Sequence, residues 1–342
     1  MKILLISTSA LTVPPKSYGG QEQVLFDEAK ELVKLGYKVT IASPIGSQIP
    51  KPIKHIPTVD LRYDRWNEAK AYEIIKPYIK QFDLIHDHSH AKLIYNYYGK
   101  KKKRNPPLLS TLHCPTIPLF PTLEPNLVCV SKFHANWIKR KYALEAKYVR
   151  NGIDLSRFKY CKDKEDYFIF IGRPTPGKGT LDAIRFCKKL NVPIKVITGN
   201  VPSEQITDYW VEVARECWFL SKWEYLGEVS HEQKVELLSK AKALLFPLSW
   251  EEPFGLTVIE ALACGTPVIA YNYAAMPEII KDGETGFLVK FKDEKAFMKA
   301  MKKVDEINPE DCRKDAEKRW SAERMTKDYI ELFNKVLNGD VW

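Results

Sequence analysis

The sequence contains no Cys-x-x-Cys pair, no Gly-x-Gly-x-x-Gly and no Asp-x-Asp. The first absence bears on its seven cysteines, which are odd in number and widely spaced (Cys114, Cys129, Cys161, Cys187, Cys217, Cys264, Cys312). They read as those of a reduced, intracellular protein with several buried thiols rather than as a disulfide framework. The second absence removes the dinucleotide-binding fingerprint. The third removes a familiar acidic metal anchor, so no essential metal is expected. The apolar run at the N-terminus, MKILLISTSA, is too short to span a bilayer, and the polar, proline-rich segment from Thr12 to Tyr18 does not extend it. A cytoplasmic protein is expected, soluble or peripheral at a membrane. Repeats at solenoid spacing and low-complexity tracts are also missing. Acid is in short supply: 43 Asp and Glu stand against 53 Lys and Arg, a formal net charge of +10. Such a balance favours an anionic partner, whether nucleotide phosphate, lipid surface or nucleic acid.

What is present suits a folded enzyme. At ~100–200 residues per domain, the 342 residues suggest two domains, and 45% hydrophobic residues can fill two cores. Short apolar runs alternate with helix-length amphipathic stretches. Lys2–Ser7 is a buried strand, Gln21–Leu35 a helix ending at Gly36, and Lys38–Ala42 a strand. A helix from about Trp66 to Ile79 follows, then strands at Asp83–His86, Leu109–His113 and Leu127–Val130. Ser131 caps a helix through Tyr142, and a strand occupies Lys147–Arg150. After a polar stretch over 154–166 the rhythm restarts. Strands at Tyr167–Gly172, Ile194–Thr198, Tyr225–Leu226, Ala243–Pro247 and Pro267–Ala270 alternate with helices at Thr180–Leu190, Glu204–Trp218, His231–Ala241 and Leu256–Ala263. The final stretch, Ala322–Leu337, is a long terminal helix. This alternation predicts an α/β protein with two doubly wound parallel sheets, and ligands beyond the carboxyl ends of their strands.

Five motifs carry candidate chemistry. Gly19 and Gly20, in YGGQE, sit at a strand-to-helix turn where backbone amides can approach a ligand. His86, His88 and His90 alternate, which along a strand puts all three on one face. That pattern can hold metal, but no second cluster of Cys, Asp or Glu completes a set. Cleft-lining and strand-capping histidines are the plainer reading, with His113 in an equivalent position. The run Lys100–Arg104 reads first as a solvated loop and second as contact with an anionic membrane. No nucleic-acid fold surrounds it. The stretch GRPTPGKG places Arg173 and Lys178 just after a strand. It does not complete a Walker loop, but a planar fork and a flexible point charge suit a diphosphate. Finally, in EEPFGLTVIEALACGTPVIA, Glu252 precedes a turn holding Pro253, Phe254, Gly255 and Leu256 at a helix start. Glu260 lies inside that helix. The helix amides attract anions, and a carboxylate can hold vicinal hydroxyls of ribose. A buried Glu260 satisfied by backbone amides is the plain alternative, which leaves Glu252 and the glycine unexplained.

Glu252 to Glu260 is similar to the E-x7-E pattern of retaining GT-B glycosyltransferases. YGGQE, DLIHDH, STLHCP, VCVSKF, VRNGID, IGRPTPGKG, YLGEVS and DGETGFLV follow in an order resembling glycosyltransferase family 4. The resemblance implies a GT-B fold, two Rossmann-like domains facing across a deep cleft. An acceptor-side domain would cover 1–155 and a nucleotide-sugar domain 156–320, with the terminal helix, about 321–342, returning to the first. Gly20, with Gly19, would lie over the donor diphosphate. His113 would sit beside the transferred sugar and His88 near the acceptor. Arg173 and Lys178 would neutralise the leaving diphosphate, Glu252 would contact sugar hydroxyls, and the Pro253–Leu256 turn would offer amides. Glu260 would hold ribose, and Gly227, Glu228 and Val229 would line the base pocket. Arg319 and Trp320 would fall near the terminal crossing, with no role assigned. The implied reaction is metal-independent, cofactor-free transfer from a UDP- or GDP-sugar to the hydroxyl of a sugar, lipid-linked or small-molecule acceptor. The anomeric configuration would be retained. A two-carboxylate glycosidase is rejected, because phosphate-binding features beside the glutamates would serve no purpose in it. The alternatives are another GT-B enzyme, such as a nucleotide-sugar epimerase or a phosphorylase, and a basic module binding nucleic acid or membrane.

Overall fold

The computed structural model describes residues 1–61, 65–94, 105–115, 126–199, 208–217 and 222–342. The chain divides into two compact units, Met1–Ile153 together with Ala322–Trp342, and Asp154–Ser321. The break falls at the head of the polar stretch that interrupts the strand–helix rhythm.

In the first unit the strands are β1 (Lys2–Ile6), β2 (Lys38–Ser43), β3 (Lys54–Pro57), β4 (Leu84–Asp87), β5 (Leu108–Leu112), β6 (Leu127–Cys129) and β7 (Lys147–Tyr148). They form one parallel sheet in the order β3-β2-β1-β4-β5-β6-β7. The central strands are apolar nearly throughout because the sheet is covered on both faces, so alternation gives way to runs such as ILLI. The helices are α1 (Gly20–Lys34), α2 (Arg65–Ile75) and α3 (Lys132–Tyr142). Ser131 caps α3 as its sequence position suggests, its hydroxyl accepting from His134 N at 2.9 Å. The helix expected through Ile79 stops at Ile75 and tightens into a 3₁₀ turn, Lys76–Gln81. Pro77 lacks the amide hydrogen that would continue an α-helical ladder.

In the second unit the strands are β8 (Phe168–Ile171), β9 (Ile194–Ile197), β10 (Trp223–Gly227), β11 (Ala243–Phe246), β12 (Val268–Tyr271) and β13 (Gly286–Val289). Their parallel order is β10-β9-β8-β11-β12-β13. Its helices are α4 (Thr180–Leu190), α5 (Asp208–Cys217), α6 (His231–Lys240), α7 (Leu256–Ala263), α8 (Met276–Ile279), α9 (Glu294–Lys303) and α10 (Pro309–Arg319). Residues 204–207 and 218 of the expected helix before β10 lie outside the described residues, as does the whole Lys100–Arg104 run. Phe168, Phe170, Phe186 and Phe297 anchor the core. Each such fully buried side chain contributes roughly 1.5–3 kcal/mol. The last helix, α11 (Ala322–Leu337), belongs to the first unit, where it packs on α1 and β5. Two strands, β3 and β13, escape the sequence reading. β3 carries Lys54, His55 and Pro57 among four residues, and β13 opens on a glycine.

Each sheet reverses direction once. In the first unit the reversal lies between β1 and β4, and in the second between β8 and β11. Loops leaving the carboxyl ends of those strands diverge there, which opens a crevice suited to a ligand.

Candidate functional site

The second unit places its motif residues at its reversal point. The loop after β8 carries Arg173 and Lys178, and the loop after β11 carries Trp250 and Glu252. Gly179 is required where it stands. Its φ is +77°, and a Cβ there would lie 2.2 Å from Pro247 O, so the two loops touch through backbone. Ser249 N donates to Gly177 O at 2.8 Å, a second tie between them. Lys178 Nζ therefore meets Glu252 Oε2 at 2.5 Å and sits 4.4 Å from the centre of the Trp250 ring. Trp250 Nε1 donates to the same carboxylate oxygen at 2.9 Å. Arg173 is exposed and has no ion-pair partner among the described residues. The loop thus presents one cation held by a carboxylate and one available cation, an arrangement ready for a polyanion.

Glu252 is followed by the turn Pro253–Gly255. Phe254 is buried, edge-on to Trp320 with ring centres 5.7 Å apart. Gly255, at φ +105°, starts α7 with no side chain capping it, and Leu256 is its first helical residue. An uncapped helix start favours an anion. One turn on, Glu260 accepts from Lys234 Nζ of α6 at 2.9 and 2.8 Å, one distance to each oxygen. The plain alternative for Glu260 therefore needs correction: a lysine, not backbone amides, satisfies it. Gly227 ends β10 at φ +65°, with Glu228 exposed and Val229 half-buried after it. Arg319 spans Asp315 and the carbonyls of Glu278 and Ile279, and its guanidinium lies 4.3 Å from the Trp320 ring. Arg319 thus packs on Trp320, and Trp320 on Phe254.

The first unit builds a different kind of site. β4 ends at Asp87, one residue later than expected, and β5 ends at Leu112, so His88 and His113 each stand one residue past a strand. The alternation that would align three histidines fails there. His86 and His88 touch, with ring centres 3.9 Å apart, whereas His90 turns away to lie 3.6 Å from Glu68. Gly19 and Gly20 open α1, and Gln21 donates through its side chain to His88 O. A Cβ on Gly19 would approach Pro15 Cβ to 2.5 Å.

His86 Nδ1 lies 2.8 Å from Glu28 Oε1, and its Nε2 lies 2.7 Å from Thr111 Oγ1. His88 Nε2 lies 3.3 Å from Glu28 Oε2, and its Nδ1 lies 2.9 Å from His113 Nε2. Glu28, His86 and His88 have no solvent exposure, while His113 is half-buried. His88 therefore lines no open surface; only His113 reaches outward. Burial lowers all three imidazoles, with repulsion from neighbouring His and Lys92 adding to it. His88 falls to about 3, with Glu28 pulling the other way, and His86 and His113 also fall well below the usual range. Burial raises the Glu28 carboxyl, against the His88 hydrogen bond. The carboxylate and two ring nitrogens lie within 4.8 Å of one another. The acid absent from the sequence-level metal argument is thus supplied by α1.

Glu28, Trp250 and Lys234 are the participants that the sequence reading misses. Glu28 left a trace, since it falls on the buried stripe of α1 between Leu25 and Leu32, where an acid is out of place.

A family profile described as Glycosyl transferases group 1 matches residues 153–319, and another, Glycosyltransferase Family 4, matches 18–157. The chain belongs to the GT-B glycosyltransferases of the family 4 type. Among curated relatives, glycogen synthase of Mycobacterium tuberculosis is 28% identical over 186 residues, covering 53% of this chain and 44% of its own length. The chain thus spans about half the length of the curated relatives it first matches. Among solved structures, a glycosyltransferase involved in avilamycin A biosynthesis superposes with a TM-score of 0.80 at 23% identity, over 100% of this chain and 99% of the other. An Anabaena protein solved with UDP-glucose gives 0.74 at 16% identity, over 98% and 100%. These likenesses show the fold: two Rossmann-like units of the GT-B type. Among the described residues, no helix is long and apolar enough to cross a membrane.

Proposed function

We propose that this family member transfers a glycosyl group from a nucleotide-diphosphate sugar to an acceptor hydroxyl, with retention at the anomeric carbon. The observation that carries the reading is the convergence of Arg173, Lys178, Glu252 and the uncapped start of α7 at the reversal point of the second sheet. Two cations and a helix dipole would stabilise the charge that develops on a departing diphosphate. Glu252 would accept from hydroxyls of the transferred sugar. Glu260 would hold ribose with the lone pairs that Lys234 leaves open, and the Gly227–Val229 segment would line the base. The first unit would carry the acceptor, with Gly19 and Gly20 near the diphosphate and His113 serving the transferred sugar. UDP is the first donor base to test, because a solved relative of this fold holds UDP-glucose. No covalent nucleophile is assigned. The leaving phosphate would assist deprotonation on the face from which it departs, without metal or cofactor. Peripheral contact with anionic membrane through Lys100–Arg104 remains part of the proposal.

The test is a thermal-shift panel of UDP, GDP and ADP with their common sugar conjugates, on wild type and Lys178→Ala. A ligand at one hundred times its Kd stabilises by about 2.7 kcal/mol. Stabilisation by one nucleotide, lost in Lys178→Ala, supports the diphosphate site and names the base. Nucleotide diphosphate released only when an acceptor is added then separates transfer from epimerisation. If no nucleotide stabilises the protein, the reading fails.

A further inference from the structure

The hydrogen count of the buried histidine cluster singles out Glu28. An ionised carboxylate is acceptor-only, and a neutral imidazole has one donor and one acceptor nitrogen. Burial keeps His86, His88 and His113 neutral, so each ring carries one hydrogen. Glu28 faces one nitrogen of His86 and one of His88. If both nitrogens are N–H groups, Glu28 Oε1 accepts from His86, the charge on Oε2 lies 3.3 Å from His88 Nε2 without a formed hydrogen bond, and the 3.1 Å approach of His88 Nε2 to His86 Nδ1 is two donors beside one anion. The remaining assignments then follow. His86 Nε2 is bare and takes the Thr111 hydroxyl hydrogen at 2.7 Å, in preference to the longer 3.3 Å contact of that hydroxyl with Tyr329 Oη. His88 Nδ1 is bare and accepts from His113 Nε2–H at 2.9 Å.

We propose that Glu28 is a positioning residue that acts through His88 to hold His113 as the Nε2–H tautomer, leaving His113 Nδ1 as a bare acceptor for a substrate hydroxyl. The role given to the hydroxyl rests on the transfer reading; the tautomer does not. Geometry supports the relay at each end. Tyr329 and Phe333 of α11 pack on His86 at 4.6 and 5.4 Å, which leaves that ring little freedom to rotate. His113 lies at 27° to His88 with ring centres 5.1 Å apart. A cation among Glu28, His86 and His88 is the rival explanation for three donor atoms so close together. A cation would find Glu28 Oε2 without a hydrogen bond, but a positive charge is already in place. The ammonium of Lys92 is already held close by, donating to Asp87 O and Thr111 O at 2.9 and 2.8 Å, and it opposes a second positive charge.

The experiment is long-range ¹H–¹⁵N correlation on the full chain with ¹⁵N-histidine, without substrate, at pH 7.5. Its seven histidines can be assigned by single substitutions. The expected spectrum shows His88 and His113 protonated at Nε2 and His86 at Nδ1. In Glu28→Gln the amide has one acceptor oxygen, so the N–H groups of His86 and His88 can no longer both face an acceptor at position 28. One of them must change tautomer, and if it is His88 then His113 changes with it. His113 protonated at Nδ1 in wild type overturns the proposal. So do ring nitrogens with metal-coordinated shifts in a protein found to carry metal, or a Glu28→Gln spectrum with all three tautomers unchanged. If Glu28→Gln does not fold, the wild-type spectrum still decides. Should the tautomers be as stated while His113→Ala leaves donor consumption unchanged, the relay stands and the catalytic assignment of His113 falls.

Discussion

Acidification from pH 7.5 to 5.5 should weaken the first unit well before its ordinary carboxylates titrate. His88 and His134 are buried as neutral rings. Burial takes His88 to about 3 and His134 to about 4, against favourable hydrogen bonds to Glu28 and to Cys114 O respectively. Unfolded, each returns to about 6.5. A histidine lowered on folding contributes stability that is complete above its unfolded value and is lost as pH falls below it. At pH 5.5 the unfolded chain has bound nearly one more proton per ring than the native chain, a loss of about 1.4 kcal/mol each, or about 3 kcal/mol for the two. His86 and His113 shift in the same direction and add to the loss. Glu28 works against it, because burial raises its carboxyl and protonating it relieves the native state. His90, on the edge of the same cluster, also works against it: raised to about 9 when folded, it is protonated in the native state throughout this range while the unfolded ring gains its proton through about 6.5, which returns about 1.4 kcal/mol. The net for His88, His134 and His90 is a loss of about 1.4 kcal/mol, which for a unit of this size lowers Tm by roughly 3–6 °C. Calorimetry at the two pH values and matched ionic strength reads it directly. His134→Gln, which removes one of the titrating rings, should recover about 1.4 kcal/mol of the acid loss. A first transition that holds or rises between pH 7.5 and 5.5 would refute the neutral-histidine account.

Other consequences follow from single contacts. Gly179→Ala combines a positive φ with a 2.2 Å approach to Pro247 O, so urea unfolding should show a loss of at least about 2 kcal/mol. Arg173→Ala removes an exposed cation with no ion-pair partner among the described residues. It should leave Tm unchanged while weakening nucleotide binding by roughly 10- to 100-fold in titration calorimetry. His90 is raised to about 9, because its contacts with Cys114 and Glu68 outweigh the opposing effect of burial. Its stabilisation is therefore complete below about 6.5 and disappears as pH climbs through 9. Glu68→Gln should flatten that alkaline limb in a Tm-against-pH profile.

Much of the architecture was legible because two-sided burial leaves a plain mark. Runs such as ILLI in β1 and FIFI in β8 can hardly serve elsewhere, and Thr180–Leu190 and Leu256–Ala263 follow the helical period from end to end. β3 and β13 were missed because they are four-residue edge strands: β3 is half-exposed and short of apolar residues, and β13 opens on a glycine that reads as a turn. Within the candidate site, the residues local in sequence were found and their partners were not. Glu252 could be read from its own segment. Its tie to Lys178 is made across a separation of 74 residues, and that of Glu260 to Lys234 across 26. Long-range pairing of this kind depends on strand order, which local periodicity does not encode. The histidine alternation was visible, but its meaning depended on where β4 stops, and a one-residue shift in a strand end separates His90 from its neighbours.

The two reversal points handle charge in opposite ways, and the difference bears on when each does its work. In the second unit Arg173 is exposed and uncompensated by any described carboxylate, so its interaction energy is realised only when an anion arrives. In the first unit the rings of His86, His88 and His113 are already paired with one another, with Thr111 and with Glu28 Oε1 in the core, while Glu28 Oε2 makes no hydrogen bond. Removing a single donor there leaves a buried acceptor unpaired, at about 1–3 kcal/mol. That penalty keeps the Glu28–His88–His113 chain in one arrangement with no ligand bound. It follows that substitutions at the two points should separate by assay. Changes at Arg173 should register in ligand affinity with little effect on the free protein. Changes at Glu28 should register in the free protein first, as altered stability and ring tautomers. A Glu28 variant whose sole defect was in nucleotide affinity would contradict the preorganised network.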